Sequence, residues 1–521
     1  MFQRSRKTAQ AMAVVATAMA VSLSACSPPP AATPTNASAA AGDLDPHAVL
    51  RYVYPNSPGT LDPHVVNTAY ANVPLFLIFD RLIHMDPKGD PTPGLAKSWE
   101  YSKDGLTLTL HLRSGVKFHD GAAFDGDVVK ANIEHGKEVQ GSFVKTDLAS
   151  IDSVNVVDPL TVELKLNSAD VALLLKLSDR AGAMISPKSM SDPKVNVHPV
   201  GAGMYEMDGD YQVGVKLKVK KWDGYWDPAA VKLAGVEMSF MADTTAGLNA
   251  IKSGGIDAGQ IREPEIDPAK QARLNVLEGY DLGFQNIIMN PDLVPALKDE
   301  RVRLAVNLAI DRKAIVDGVV FGYGKPTNQP FPEGYFAHSD AAEQYPYDPE
   351  QAKKLLAEAG YPNGFEWTID NVPGPGTRIN EAIADQLSKV GIKVTVRQTE
   401  AAALGAALSE AKTVAAANVR WTGRPDPTST LTLIYMPGGP QNPSNMASEN
   451  AKTLFDKQKI EIDPAKRAAL LGELSKELVD HPPANIVLFQ SVSAIAANQK
   501  VVGLQEWTSG KVEFRGVGMT K

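Results

Sequence analysis

The sequence predicts an α/β protein arranged in two lobes, and three observations lead there. The chain has 521 residues, too many for one ordinary hydrophobic core. Hydrophobic residues make up 44% and charged residues 21%, the balance of a globular chain rather than a disordered or fibrous one. Period-two strands also interleave with period-3.6 helices in both halves, which is the pattern of α/β layers.

The first segment has a different pattern. Arg4, Arg6 and Lys7 precede an uncharged Ala/Val/Met-rich run from Ala11 to Leu23, and Leu23-Ser24-Ala25-Cys26 follows. A cationic start, a short apolar stretch and small residues at its end describe a signal peptide over 1–25. Thirteen residues at about 1.5 Å each fall short of a hydrocarbon layer of about 30 Å, so this run is not a permanent span. Cys26 is the chain's single cysteine, which excludes a disulfide framework and a multi-thiolate metal site. Its setting resembles a bacterial lipobox, whose cysteine carries the lipid. Residues 26–45, rich in Pro, Ala, Ser and Thr, read as a tether.

Arg51 to Tyr54 reads as a strand ending at Pro55. Thr68 to Phe79 reads as a helix with Pro74 confined to its first turn or a kink. Leu106, Leu108, Leu110 and Leu112 alternate with polar residues as a half-buried strand. Val154 and Val156, then Val162, Leu164 and Leu166, flank the turn dipeptide Asp158-Pro159 as a hairpin. Asp299 and Asp311 are placed to cap successive helices across Glu300 to Val320. Asp348 is placed to cap a third, with Pro349 first and Gly360 at its end. A fourth helix runs about Arg378 to Val390 on Ile379, Ile383 and Leu387. Gly391 stops it before the alternating Ile392, Val394 and Val396.

Catalytic signatures are missing. No His-Glu-x-x-His, Cys-x-x-Cys or Gly-x-Ser-x-Gly occurs. His119-Asp120 sets an imidazole beside a carboxylate, and a turn with a surface His–Asp contact explains it more simply. Gly322 to Thr327 resembles a P-loop fragment but has Pro326 where a hydroxyl would hold magnesium. Gly201-Ala202-Gly203 lacks the third glycine of a dinucleotide turn. Asp120 to Asp127 lacks the alternating oxygens of a calcium loop. The expectation is therefore no enzyme, no metal and no cofactor. A net charge of −8 without a basic run argues against nucleic acid as a partner.

Several segments, in order, carry a family resemblance. They are Gly59-Thr60-Leu61-Asp62-Pro63-His64, Pro93 to Glu100, Arg113 to Gly121, Pro199 to Tyr205 and Asp223-Gly224-Tyr225-Trp226. Arg301 to Ala305, Ala309 to Arg312 and Ala352 to Gly364 follow in the second half. Together they resemble the peptide/nickel class of bacterial extracellular solute-binding proteins that serve ABC importers, a class that includes oligopeptide- and dipeptide-binding lipoproteins. Met204 departs from the proline often found at its position, in a structural turn.

The resemblance implies a two-lobed periplasmic-binding-protein-like fold with a two-strand hinge. Lobe I would take 46–283 and 489–521, with an extra subdomain over about 81–197, and lobe II would take 284–488. It further implies a monomer, held by lipid at the outer face of the cytoplasmic membrane, that passes a small ligand to membrane permease subunits. An oligopeptide or dipeptide is the expected ligand; relatives also take nickel complexes, haem, glutathione, sugars or opines. A hydrolase or sensor reusing the fold is the reading from another class.

By the same resemblance, Asp426 in Arg420 to Thr428 is where the family pairs an aspartate with a ligand amine. Arg424 offers a fork suited to a carboxylate, or else forms an internal surface pair with Asp426. Trp421 is either a flat floor for the ligand or core. Asn67, Thr68 and Tyr70 match the first-lobe contact region, with Tyr70 alternatively facing the core.

Overall fold

The computed structural model describes residues 44–342 and 344–521; residues 1–25, expected as a signal peptide, Cys26, and nearly all of the expected tether 26–45 lie outside them. An eleven-stranded mixed sheet runs through both lobes. Its centre is a pair of long antiparallel strands, Asn275–Met289 and Asn485–Ala497. On the lobe I side, Ala258–Ile261 pairs with the second of these. Val49–Tyr54 and Gly235–Phe240 continue the sheet in parallel, and Lys216–Lys221 and Tyr205–Met207 close it antiparallel. On the lobe II side, Ala416–Trp421 pairs with the first long strand, followed by Glu366–Asn371 and Lys393–Gln398.

The long pair is broken where it passes from one lobe to the other. Its register runs from Asn275 opposite Ala497 to Tyr280 opposite Val492, and resumes only at Phe284 opposite Gln490. The cause is local. The Asp281 carboxylate accepts from the Gly283 N–H at 2.7 Å, and the Leu282 N–H donates to the Thr508 carbonyl at 2.8 Å, so neither donor serves the ladder. Two strands with an interrupted ladder are the architecture of a hinge.

Each lobe has its own core. Tyr52, Tyr54, Phe79, Tyr205 and Phe514 are the large buried residues of lobe I; Met289, Val302, Ile369, Ile383 and Leu387 belong to that of lobe II. A four-stranded sheet, ordered Ala96–Tyr101, Thr107–Leu112, Thr161–Leu166, Ile151–Asp158, forms a separate unit. The helix Gly126–Glu138 packs Val129 and Ile133 on Leu108, Leu110 and Leu164 there. The start and end of the described chain meet in lobe I, where Leu44 bridges Thr520 and the Asp45 N–H donates to the Met519 carbonyl at 2.8 Å.

The aspartates expected as caps are caps: Asp299, Asp311 and Asp348 accept from Arg301, Ala314 and Gln351 N–H groups. Four expectations need correction. Leu106 is exposed and precedes the strand, because Asp104 accepts from its N–H to close a tight turn. The helix from Thr68 is two pieces, a 3₁₀ turn Ala69–Ala71 and an α-helix Asn72–Ile78 with Pro74 in its first turn. The helix begun at Arg378 starts earlier, at Pro375, and ends at Ser388. His119 makes no surface contact with Asp120. Its imidazole is buried 3.1 Å from the Gly203 carbonyl and pushed down to about 4 by burial, while Asp120 accepts from Ala122 N–H and the Ser186 hydroxyl.

Candidate functional site

Three chain segments converge where the lobes face each other. The first is the Val66 to Asn72 turn of lobe I. Thr68 caps it, accepting from the Tyr70 N–H at 3.3 Å, and Tyr54 donates its hydroxyl to the Tyr70 carbonyl at 3.1 Å. Asp179 and Arg180 pin this turn from behind. Arg180 donates to the Val66 carbonyl at 2.6 Å, and Asn72 donates to the Asp179 carboxylate at 3.1 Å. Asn67 is exposed, whereas Tyr70 is half-buried against the lobe I core with its phenol bearing electrostatically on Arg420 across the gap.

The second segment follows the strand Ala416–Trp421. Gly423 takes φ +69° there, and a Cβ would stand 2.6 Å from that of Leu282, so glycine lets this loop lie against the hinge. Trp421 is a core residue: its indole N–H donates to Thr430 at 3.1 Å, and Phe284 and Leu431 belong to the same cluster. It is no open floor, because the Arg424 guanidinium covers a ring face at 4.9 Å. Among the described residues, Arg424 hydrogen-bonds only within its own loop, to the Gly423 carbonyl at 3.0 Å and the Thr422 hydroxyl at 3.5 Å. Burial lowers its pKa, and Asp179 across the cleft opposes that shift.

Asp426 does not pair with Arg424. It is 1% exposed and caps the helix Pro427–Ile434, accepting at Oδ1 from the Thr428 N–H at 2.8 Å and from Arg467 Nη2 at 2.7 Å. Its other oxygen, Oδ2, is buried with no hydrogen-bond partner. Burial would raise this carboxyl's pKa; the Arg467 charge and the hydrogen bonds from Arg467 and Thr428 outweigh it and hold the pKa below the usual range. Arg467 also lines a cavity of about 500 Å³ between the four-stranded unit and lobe II. Trp99, Tyr101 and Leu174 form its wall on one side and Phe336 and Ile462 on the other.

The third segment is the C-terminal stretch Ser509 to Lys511. Lys511 is 6% exposed and donates to the Ser509 carbonyl at 3.0 Å and, across the cleft, to the Thr422 carbonyl at 3.4 Å. Asp281 in the hinge stands 3.6 Å from Arg420. Arg467 and Lys511 were missed by the sequence reading. Arg467 lies 41 residues from its partner and Lys511 lies 89, and no local periodicity links them.

A cleft lined by both lobes, with opposite charges on its walls and an interrupted two-strand hinge behind it, defines a two-lobed solute-binding protein. The sequence carries the same identity. Residues 90–443 match the family described as bacterial extracellular solute-binding proteins, family 5 Middle, and the chain belongs to that family. The glutathione-binding protein GsiB of Escherichia coli K12 is 31% identical over 354 residues, which are 66% of this chain and 68% of GsiB. HbpA2 from Haemophilus parasuis superposes with a TM-score of 0.79 at 27% identity, over 91% of this chain and 100% of its own. AgaA of A. tumefacien R10, solved with agropinic acid, superposes at 0.76 and 26% identity, over 91% and 99%. Among the described residues no helix is long and apolar enough to cross a membrane.

Proposed function

We propose that this protein captures a short peptide, zwitterionic and up to a few residues long, between its lobes and delivers it to the membrane subunits of an ABC importer. The observation that carries this reading is one loop that holds both a buried carboxylate oxygen without a donor and a guanidinium without a carboxylate. Asp426 Oδ2 is buried without a donor, and Arg424 two residues earlier has no carboxylate partner among the described residues. A buried polar atom left unpaired costs about 1–3 kcal/mol, so Asp426 Oδ2 is a place where a ligand donor gains by binding, while Arg424 is open to a ligand carboxylate. The cavity beside Arg467, apolar apart from a few charged residues at its edge, offers room for a side chain. Glutathione, the ligand in the name of GsiB, and the agropinic acid held by AgaA both suit such a cleft. A neutral sugar would leave Arg424 without a carboxylate. Asn67, Thr68 and Tyr70 are the proposed contacts on the opposite wall.

Native mass spectrometry of the purified protein tests the reading. A co-purified intact peptide is the expected result; product released from added peptides would show a hydrolase instead. Binding should also close the lobes. Saturation at a hundredfold excess over Kd should raise stability by about 2.7 kcal/mol. Small-angle scattering should show the radius of gyration falling with the same ligand, and an unchanged curve would count against closure.

The proposed site of work is the outer face of the cytoplasmic membrane, with Cys26 carrying the lipid and the protein a monomer. Two acyl chains hold a protein stably where one is marginal. Cys26→Ser should therefore move the protein to the soluble extracytoplasmic fraction or leave its signal peptide uncut. A variant that stays both processed and membrane-bound would refute the anchor.

A further inference from the structure

We infer that Lys511, together with Arg424, forms a carboxylate site shared between the lobes and so selects ligands bearing an acidic group. This deepens the peptide reading and rests on it for the location of the ligand. The geometry is specific. Lys511 from lobe I and Arg424 from lobe II meet on one residue, with Nζ 3.4 Å from the Thr422 carbonyl and Nη1 3.5 Å from the Thr422 hydroxyl. Both are cations, and among the described residues neither forms an ion pair; carbonyl and hydroxyl oxygens are their only hydrogen-bond acceptors.

The surrounding charges leave a positive excess. Arg180, Arg424 and Lys511 face Asp179, Asp147 and Asp281 in this region, and Arg420 beside Asp281 makes four cations against three carboxylates. Asp179 is already engaged by Asn72 and by the backbone and side chain of Arg180. Asp281 stands against Arg420. Burial, reinforced by the nearby Arg424 and Arg180 charges, pushes the Lys511 pKa down to about 8 against the opposing pull of Asp179 and Asp281, so this ammonium lacks an adequate counter-charge. A ligand carboxylate placed between Lys511 and Arg424 would supply one. It would also touch both lobes at once, so that its binding favours the closed arrangement over the open one.

Calorimetry on the wild type, Lys511→Met and Lys511→Arg tests this. The probes are glutathione and dialanine, each as free acid and as C-terminal amide, with succinate as a non-peptide acid. Wild type should prefer the acid of at least one peptide by about ten- to a hundredfold. Lys511→Met should erase that preference, and Lys511→Arg should keep part of it. The ligand-free Tm of Lys511→Met should stay within about 2 °C of wild type or rise, since the lysine carries an unpaired charge there. A peptide bound equally well by wild type and Lys511→Met overturns the inference and leaves the peptide reading standing. Succinate bound through Lys511 with neither peptide bound reverses that outcome. No binding by any acid overturns both, and a large loss of ligand-free Tm in Lys511→Met makes the residue structural and overturns the inference.

Discussion

Asp426→Ala is expected to lose about 3–5 kcal/mol of folding stability, because it strands a buried guanidinium. Arg467 is 8% exposed, and the Asp426 carboxylate 2.7 Å away is its ion-pair partner. The same change removes the cap of the helix Pro427–Ile434, a further loss of about 1 kcal/mol. Asp426→Asn should lose less, since an amide oxygen can still accept from the Thr428 N–H. Urea unfolding of the three proteins checks the order. Where the variants fold, the free oxygen can be tested separately. Acetylating a bound peptide's amino group should weaken binding to the wild type by roughly a hundredfold, with little further loss in Asp426→Asn. Additive losses in that double cycle would place the amine elsewhere.

The second large effect is expected at Glu513→Ala, from the far end of the chain. Arg81 is 3% exposed and donates to both Glu513 oxygens, at 2.9 and 2.7 Å, with its guanidinium 3.8 Å from the Phe76 ring centre. Alanine would leave that charge buried and unpaired, a loss of about 3–5 kcal/mol by chemical denaturation. Arg81→Met combined with Glu513→Leu should recover most of it, since a well-packed apolar pair can replace a buried ion pair. Failure of the double variant to recover would mean that Arg81 matters chiefly through its hydrogen bond to the Ser178 carbonyl.

These two pairs also show what the sequence makes legible. The capping aspartates Asp299, Asp311 and Asp348 act within three residues of themselves, so their roles follow from local order. Leu108, Leu110 and Leu112 alternate because one face of their strand is buried, a signal written along the segment. Asp426 could be placed in the cleft loop by resemblance, but its partner lies on a distant helix. Arg81 and Glu513 are 432 residues apart. Lys511 carries no local signature: a lysine among Ser509, Gly510 and Val512 reads as solvent-facing, and only the tertiary fold buries it. The hinge was expected from resemblance, but its break depends on the Asp281 side chain competing for a backbone donor.

The meeting of Leu44 with Thr520 has a mechanical consequence. With both ends of the described chain in lobe I, everything between the two long strands is a guest inserted into a host that closes on itself. A pulling force applied at the two ends would load the Leu44–Thr520 bridge first. That antiparallel contact would peel open one hydrogen bond at a time rather than shear as a block. Lobe II would lie outside the load path until lobe I had given way.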